Sequence, residues 1–294
     1  MSIENKARRN VICAMFIYGT VGLFVRFIDL PSSIIAMARG LIGVPFLLIV
    51  LAVQKKRLCL ESIKRNKLPL LISGTLLGFN WILLFEAYRI TTVATASLCY
   101  YMAPIIIVAL SPIVFKEKLT LRKAICIVTA LIGMVFVSGV AKSGIPPLSE
   151  LKGVFLGLTA ACFYASIVIT NKHLRDIGPY DRTIVHLAIS AVWMLLYNSI
   201  TGGFAQCSNP DTLGLVMLII LGIVHTGIAY LLYFGSMGNI SAQTVAILRY
   251  IDPVITLILG ALILKETMGP YELLGAVLVL GSALISELPE KEKK

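Results

Sequence analysis

Residues 241–266, SAQTVAILRYIDPVITLILGALILKE, are long enough to cross a bilayer as one helix, yet they contain residues that a plain lipid anchor avoids. Arg249 and Asp252 lie three positions apart, so they project from one face of a helix. A charged side chain at the bilayer centre costs about 2.5–3.5 kcal/mol unless it is paired or faces water. Pro253 follows directly and lacks an amide N–H. Together these residues predict a functional site inside the membrane.

The same pattern occurs earlier in the chain, which indicates an internal repeat. A shift of 149 residues places Pro104 on Pro253 within similar apolar segments. Near the start of each half, a shift of 146 residues places Tyr18 on Tyr164. A repeat of this length predicts two related units that fold alike. The predicted units are residues 1–145 and residues 146–294.

The two matched prolines are predicted to act as gating elements. Since proline has no N–H, Pro104 is expected to free the carbonyl of Tyr100, and Pro253 that of Arg249. A free carbonyl at this depth is tolerated only inside the protein or beside a cavity. Each proline also permits a bend, which a carrier that opens to each side of the membrane in turn requires.

The composition is that of a polytopic membrane protein. The 294 residues are 58% hydrophobic and 14% charged, with a mean hydropathy of +0.91, which excludes a soluble globular domain. The net charge of +11 comes from basic residues in short loops, so we expect no nucleic-acid partner. The six cysteines show no CxxC or metal-binding spacing. Nucleotide-binding and hydrolase motifs are absent, so we predict no enzyme activity and no cofactor.

Ten apolar segments predict an all-α integral membrane protein with ten transmembrane helices. About 20 apolar residues are needed to span the hydrocarbon core. The predicted spans are residues 11–28, 34–53, 68–88, 93–115, 124–140, 153–170, 184–200, 212–234, 242–264 and 271–285. The glycine and proline content of residues 141–152 predicts an external linker between the halves.

The distribution of Lys and Arg predicts the orientation. With the N-terminus inside, the cytoplasmic segments hold 19 basic residues and the external loops hold four. This asymmetry predicts a multi-pass protein of the cell membrane with both termini cytoplasmic. Five spans in each half is an odd number, so the halves enter the membrane from opposite sides. The predicted fold is therefore two inverted five-helix repeats, a layout of many secondary transporters.

The candidates for substrate binding are polar and aromatic residues within the spans. They are Tyr18, Asn80, Tyr100, Tyr101, Tyr164, Tyr230, Arg249 and Tyr250. The tyrosine rings are expected to contact the apolar part of a solute. For Tyr18 and Tyr164 the alternative is an aromatic residue at the membrane interface, and for Asn80 it is a hydrogen bond between helices.

Two further residues are candidates for carrying a coupling proton. Asp252 is acidic at mid-membrane depth, and His225 is a histidine within a span. The alternative for Asp252 is a buried structural pair with Arg249, and the alternative for His225 is hydrogen-bonded packing. Arg39 lies close enough to the external end of its span to reach the interface, and its role stays open.

Two segments resemble a known family of carriers. MAPIIIVALSPIVFKEKLT, ending at Thr120, and LRYIDPVITLILGALILKE, ending at Glu266, resemble the proline-containing fourth helix of the EamA family in the drug/metabolite transporter superfamily. The glycine-rich LIGMVFVSG and LLGAVLVLGSALI fit its fifth helix. The resemblance implies ten helices around a central cavity and transport of small metabolites, often amino-acid efflux. Ala103 precedes Pro104 where Asp252 precedes the second proline, so any carboxylate role is one-sided.

The balance of charges within the spans favours one class of solute. Arg26, Arg39 and Arg249 outnumber Glu86 and Asp252, which favours a substrate with a carboxylate. The predicted function is a secondary active transporter that exports amino acids or related solutes by alternating access. The alternatives are a multidrug efflux carrier and, from another class, a membrane sensor or scaffold without flux. The expected partners are a small-molecule substrate and the lipid bilayer, and a homodimer is left open.

Overall fold

The computed structural model of the chain describes residues 2–114, 119–137, 148–207, 211–236, 239–240, 245 and 248–288. Regular structure in these residues is entirely helical. The first half contains α1 (Ile3–Gly19), α2 (Val21–Arg26), α3 (Ser32–Val53), α4 (Leu60–Arg65), α5 (Lys67–Ile90), α6 (Val93–Tyr100), α7 (Ala103–Val114) and α8 (Leu121–Val137). The second contains α9 (Leu148–Asn171), α10 (Pro179–Thr201), a 3-10 turn (Gly203–Gln206), α11 (Thr212–Ile220), a π-helical segment (Leu221–Ile228), α12 (Ala229–Phe234), α13 (Ile251–Leu262) and α14 (Pro270–Glu287).

Each predicted span overlaps a helix, and seven helical stretches among the described residues are long and apolar enough to cross a membrane. They are Ile3–Arg26, Ser32–Val53, Lys67–Ile90, Val93–Val114, Leu151–Asn171, Pro179–Thr201 and Thr212–Tyr233. The helices α8, α13 and α14 are shorter, with 17, 12 and 18 residues. A total of ten transmembrane helices therefore stays a prediction.

The helix that follows the predicted linker begins before the predicted end of the linker. Residues 141–147 and the predicted unit boundary lie outside the described residues, but α9 already begins at Leu148. The reason is local, because the residues after Pro147 are leucine, serine, glutamate and lysine, which contain neither proline nor glycine until Gly153.

Helices of the two halves pack against each other in matched pairs. The third span of the first half, α5, packs along the first span of the second half, α9. Correspondingly, α1 of the first span packs on α12 of the eighth. The helix α3 lies against α10, α6 against α13, and α8 against α14. Exchanging the halves interchanges the first two contacts and leaves each of the other three unchanged. The core therefore consists of contacts between the halves, and a site at the centre draws on both.

The α8–α14 contact depends on two glycines. A Cβ atom added at Gly133 would lie 3.0 Å from the carbonyl oxygen of Gly275, and one added at Gly275 would lie 2.7 Å from the carbonyl oxygen of Gly133. Small residues of this kind let two membrane helices approach closely and pack by van der Waals contact. This explains why the glycine-rich fifth helix of each half pairs with its counterpart.

Four of the spans are interrupted near their middle. The span that contains Pro104 breaks at Tyr101 and Met102, between α6 and α7, and α13 begins at Ile251, directly after a turn. The first span breaks at Thr20, and the eighth widens into the π-helical segment. Residues 241–244 and 246–247 of the predicted ninth span lie outside the described residues.

The break before α13 differs in one respect from its prediction. The carbonyl of Arg249 accepts a hydrogen bond from the amide of Asp252 at 3.3 Å, so it is not free. This bond spans three residues, as in a 3-10 turn, and it replaces the bond that the missing amide of Pro253 cannot make. The proline still marks the start of a new helix, because it occupies the first turn of α13.

Candidate functional site

The breaks in the two halves touch each other through Asp252. The hydroxyl of Tyr101, at the end of α6, donates to Asp252 Oδ1 at 2.7 Å. Asp252 lies in the first turn of α13, where the helix dipole stabilises a negative charge by about 0.3–1 kcal/mol. The carboxylate predicted to act in the second half is therefore held by a hydroxyl from the first half. A relative movement of the halves has to break or carry this bond.

A close approach of α1 fixes the position of the Asp252 turn. A Cβ atom added at Gly19 would lie 2.8 Å from the carbonyl oxygen of Asp252 and 2.7 Å from Cβ of Ile255. The hydroxyl of Thr256 lies 3.1 Å from the carbonyls of both Gly19 and Asp252. The start of α13 is thus pressed against the end of α1, and a larger residue at position 19 would separate them.

Arg249 contacts a different tyrosine from the one that holds Asp252. Its Nη2 atom donates to the hydroxyl of Tyr164 at 3.0 Å, and its guanidinium carbon lies 5.9 Å from the centre of that ring. The ring of Tyr164 packs edge-on against Tyr100 at 5.5 Å, and Tyr100 lies 6.3 Å from Tyr101. The two charged residues are therefore connected through a run of three tyrosine rings.

A second group of rings faces the same interior. Tyr18 of α1 lies 5.9 Å from Tyr230 and 6.2 Å from Tyr233, both on α12, with the rings edge to face. Tyr230 lies within electrostatic range of Tyr100, and Tyr164 lies within range of Tyr18, so the two groups adjoin. Tyr88 of α5 also lies within electrostatic range of Tyr100. The tyrosine cluster is the name we give to these seven residues: Tyr18, Tyr88, Tyr100, Tyr101, Tyr164, Tyr230 and Tyr233.

His225 lies in the π-helical segment and is 1% exposed. Its Nε2 atom is 2.7 Å from the hydroxyl of Thr20, at the break between α1 and α2, and its ring packs edge-on against Phe24 at 4.7 Å. This position joins two interrupted helices. Segments of π-helix inside α-helices are frequent at functional sites, and no residue type in this stretch would have predicted one.

Asn80 and Tyr250 lie outside the tyrosine cluster. Asn80 is fully buried, and its amide nitrogen donates to the carbonyl of Ala160 at 2.6 Å. This is the hydrogen bond between helices that was the alternative for Asn80, and it joins α5 to α9. Tyr250 immediately precedes α13 and packs against the core that contains Met102 and Ala103, next to Pro104.

The expectation that Arg39 reaches the membrane interface is wrong. Arg39 is 4% exposed, and its guanidinium carbon lies 4.1 Å from the centre of the Trp81 ring. Stacking on a ring and burial within the bundle hold the side chain at the interior. The position of Arg39 near the start of α3 indicated its distance from the membrane surface. It could not show that the neighbouring helix α5 places the ring of Trp81 against the guanidinium.

Glu266 is a structural residue whose role the sequence did not reveal. Its carboxylate accepts from the backbone amides of Val93 at 2.8 Å and Ala94 at 3.1 Å, at the start of α6. Arg26 Nη2 lies 3.6 Å from the same carboxylate. The side chain of Glu266 is 7% exposed, so it caps a helix of the other half in a shielded position. Its occurrence directly after an apolar span was the available signal.

A family model decides the class of the molecule. The model described as the EamA-like transporter family matches residues 10–139 and again residues 151–287. The chain belongs to the EamA-like transporter family. Its members are transporters and not enzymes, so the protein is a multi-pass membrane transporter. The two matches agree with the repeat found in the sequence.

Curated relatives span nearly the whole chain. An uncharacterized transporter, YxxF of Bacillus subtilis (strain 168), is 28% identical over 277 residues, which cover 93% of this chain and 87% of the relative. An uncharacterized transporter of Archaeoglobus fulgidus is 25% identical over 94% of both chains. A solved structure described only as a crystal structure of a protein superposes with a TM-score of 0.67 at 17% identity, covering 96% of this chain and 97% of the other. That similarity supports the fold alone.

Proposed function

We propose that this EamA-family member is a secondary active transporter that exports amino acids or related carboxylate-bearing solutes across the cytoplasmic membrane by alternating access. The observation that carries the proposal is the 2.7 Å hydrogen bond between Tyr101 and Asp252. It joins the interrupted helix of one half to that of the other. In alternating access one repeat moves against the other around the site, so a bond between the halves would break and re-form in each cycle.

The tyrosine cluster supplies the substrate-binding surface. Its rings come from α1, α5, α6, α9 and α12, or from the turn next to α6, so both halves contribute. Tyrosine combines an apolar ring with a hydroxyl, which suits a small solute that has both an apolar part and polar ends. In this proposal Tyr18, Tyr100, Tyr101, Tyr164 and Tyr230 contact the solute. Asn80 supports them from behind by holding α5 to α9.

Asp252 is the proposed site of the coupling proton. A half-buried carboxylate can bind and release a proton, and the hydroxyl of Tyr101 donates to this one. His225 is the second candidate, because its bond to Thr20 links the broken first span to the π-helical segment. Protonation at either position would change a contact between elements that have to move.

In the proposed orientation, both termini face the cytoplasm and the Glu266 contact lies at the external end. There the carboxylate holds the start of α6 and the side chain of Arg26 together. This contact joins spans 1, 4 and 9 and would close the external path. Opening to the outside then requires the bond from Glu266 to Val93 to break.

The test is uptake of radiolabelled amino acids into proteoliposomes with an imposed pH gradient. We expect saturable flux that depends on the gradient, and Asp252→Asn should fold but lose that dependence. Asp176→Asn is the matched control, because Asp176 is exposed and pairs only with Arg65 at the surface. Flux of cationic drugs without flux of amino acids would favour the multidrug alternative. Flux that is identical in Asp252→Asn at every pH would reject the coupling role.

A further inference from the structure

Arg39 is a buried cation whose surroundings are aromatic. It is 4% exposed, with its guanidinium carbon 4.1 Å from the ring centre of Trp81 and 5.5 Å from that of Phe85. Its electrostatic neighbours are phenol groups of the tyrosine cluster, namely Tyr18, Tyr88, Tyr100 and Tyr230. Stacking on rings stabilises a desolvated guanidinium by about 2 kcal/mol, which does not replace a counter-ion.

The hydrogen bonds of Arg39 leave most of its donors unused. Its Nε atom donates to the hydroxyl of Thr226 at 3.0 Å. Neither Nη atom has a hydrogen bond to a described residue, and neither is among the buried polar atoms that are sealed from solvent. The two Nη atoms therefore keep some solvent-accessible surface. A guanidinium has five N–H donors, and the four on the Nη atoms have no described acceptor.

No carboxylate balances the charge of Arg39 in the part of the chain that the structure describes. The ion pairs found there do not include it. The nearest link to an acid is indirect, because Tyr88 lies within electrostatic range of both Arg39 and Asp252. Removing one partner of a buried pair is costly, so a buried arginine normally keeps an anion beside it. Among the described residues, this charge is therefore left without an anion.

The backbone around Arg39 holds it in one orientation. Thr226 belongs to the π-helical segment, and a Cβ atom added at Gly43 of α3 would lie 2.8 Å from Thr226 Cγ2. The glycine allows the π-helical segment to approach α3 closely enough for the Nε bond. The guanidinium is held by the Nε bond to Thr226 and by contact with the Trp81 ring, which leaves the edge that carries both Nη atoms without a described partner. That edge is the geometry that receives a carboxylate through two parallel hydrogen bonds.

We infer that Arg39 binds the carboxylate of the transported solute, with Trp81 and Thr226 as positioning residues. The inference deepens the proposed function and rests on it for the claim that the ligand is transported. A singly charged carboxylate matches the charge of Arg39, the buried arginine among the described residues. Asp252, which like Arg39 lies within electrostatic range of Tyr88, offers a negative charge to an ammonium group. Arg39 would then hold the carboxylate end of the proposed amino-acid substrate.

Trp81 makes the inference measurable without a flux assay. The chain has two tryptophans, and Trp193 is 38% exposed on α10, so Trp193→Phe leaves Trp81 as the single emitting tryptophan beside Arg39. This variant in lipid nanodiscs is titrated with glycine, leucine, phenylalanine and glutamate, and with glycinamide, leucinamide and phenylalaninamide. We expect a saturable change of Trp81 fluorescence with at least one amino acid, and binding of its amide at least about tenfold weaker.

Variants of Arg39 complete the test. Arg39→Gln should weaken amino-acid binding by about a hundredfold or more, and Arg39→Lys by about tenfold, because lysine keeps the charge without the two parallel donors. The matched control is Arg65→Gln, at an exposed surface pair, which should bind as the parent does. If Arg39→Gln does not fold, Thr226→Val removes the Nε acceptor and should weaken binding of the amino acid more than that of its amide.

The outcomes separate this inference from the proposed function. Equal binding of an amino acid and its amide, unchanged binding in Arg39→Gln, or no response to any amino acid of the panel would overturn the inference. Binding that requires Arg39 without flux in proteoliposomes would keep the carboxylate site and reject transport of that solute. Flux of solutes without a carboxylate that is unaffected in Arg39→Lys would keep the transporter and reject the role of Arg39.

Discussion

At the scale of single residues, the site consists of a few charges held by tyrosines. The sequence predicted Arg249, Asp252 and the tyrosines as members, since charged and aromatic residues inside apolar spans stand out by type alone. The bonds among them were not predictable. Arg249 and Asp252 share a helix face in the sequence, yet each has a tyrosine partner from a different element. Those partners are set by tertiary packing, which spacing along one helix cannot show.

The first prediction concerns the bond between Tyr101 and Asp252. Tyr101→Phe removes the hydroxyl and keeps the ring, so we expect slower gradient-driven flux with the protein still folded. The effects of substituting two residues that act through one shared bond are not additive. In proteoliposomes, Tyr101→Phe combined with Asp252→Asn should therefore transport no more slowly than Asp252→Asn alone. If the double variant instead slows flux by the product of the two single effects, the two residues act separately.

At the scale of elements, the interrupted helices are what the sequence predicted best. Prolines at 104 and 253 marked two of the breaks, because the missing N–H ends a helix in a way that composition reveals. The break at Thr20 and the π-helical segment contain no proline. In the structure they meet each other, because Thr20 lies beside His225. Breaks of that kind need a structure.

The second prediction tests the matched prolines as gates. Pro104→Ala and Pro253→Ala restore an amide donor and favour a straighter helix, so each should bind solute but lose most of its flux. Because the prolines lie in inverted halves, the two variants should shift the accessibility of cavity positions in opposite directions. Single-cysteine labelling from each side of the membrane measures this. Wild-type flux in both variants, or a shift in the same direction, would contradict symmetric gating.

The third prediction concerns the contact that Glu266 makes at the start of α6. Glu266→Gln keeps the shape and removes the charge, so the attraction to Arg26 and to the helix dipole is lost. We expect the free energy of unfolding to fall by about 1–2 kcal/mol, seen as a lower thermal midpoint in detergent. Glu4→Gln is the control, because Glu4 pairs with Arg8 on an exposed helix face. An equal fall in the free energy of unfolding in both variants would show that the Glu266 contact contributes no more than an exposed ion pair.

At the scale of the whole molecule, the two halves form one bundle through contacts between them. The repeat predicted from matched residues agrees with the two family matches, and the pairing of α5 with α9 and of α1 with α12 follows the same exchange. Composition and repeat length are properties of long segments, so they were reliable guides to the class of protein and to its two repeats. Which helices pair across the halves depends on side-chain fit and had to come from the structure.

The fourth prediction concerns orientation. The asymmetry of basic residues places residue Cys207 outside and Cys59 inside. Cys207 is half-buried and Cys59 is exposed, so both thiols are accessible from their own side. In single-cysteine variants on intact cells, an impermeant maleimide should label Cys207 and spare Cys59. Labelling of Cys59 alone would invert the topology and move the Glu266 contact to the cytoplasmic end.

The central claim is that one site, shared by two halves, faces the two sides of the membrane in turn. Solute counterflow tests it most directly. Proteoliposomes are loaded with an unlabelled amino acid that the protein binds and diluted into a trace of the same labelled compound without any ion gradient. Alternating access predicts that the label rises transiently above its equilibrium level and then declines, and that Pro253→Ala abolishes the rise. A monotonic approach to equilibrium at the rate of protein-free liposomes, for every amino acid that binds, would contradict the account.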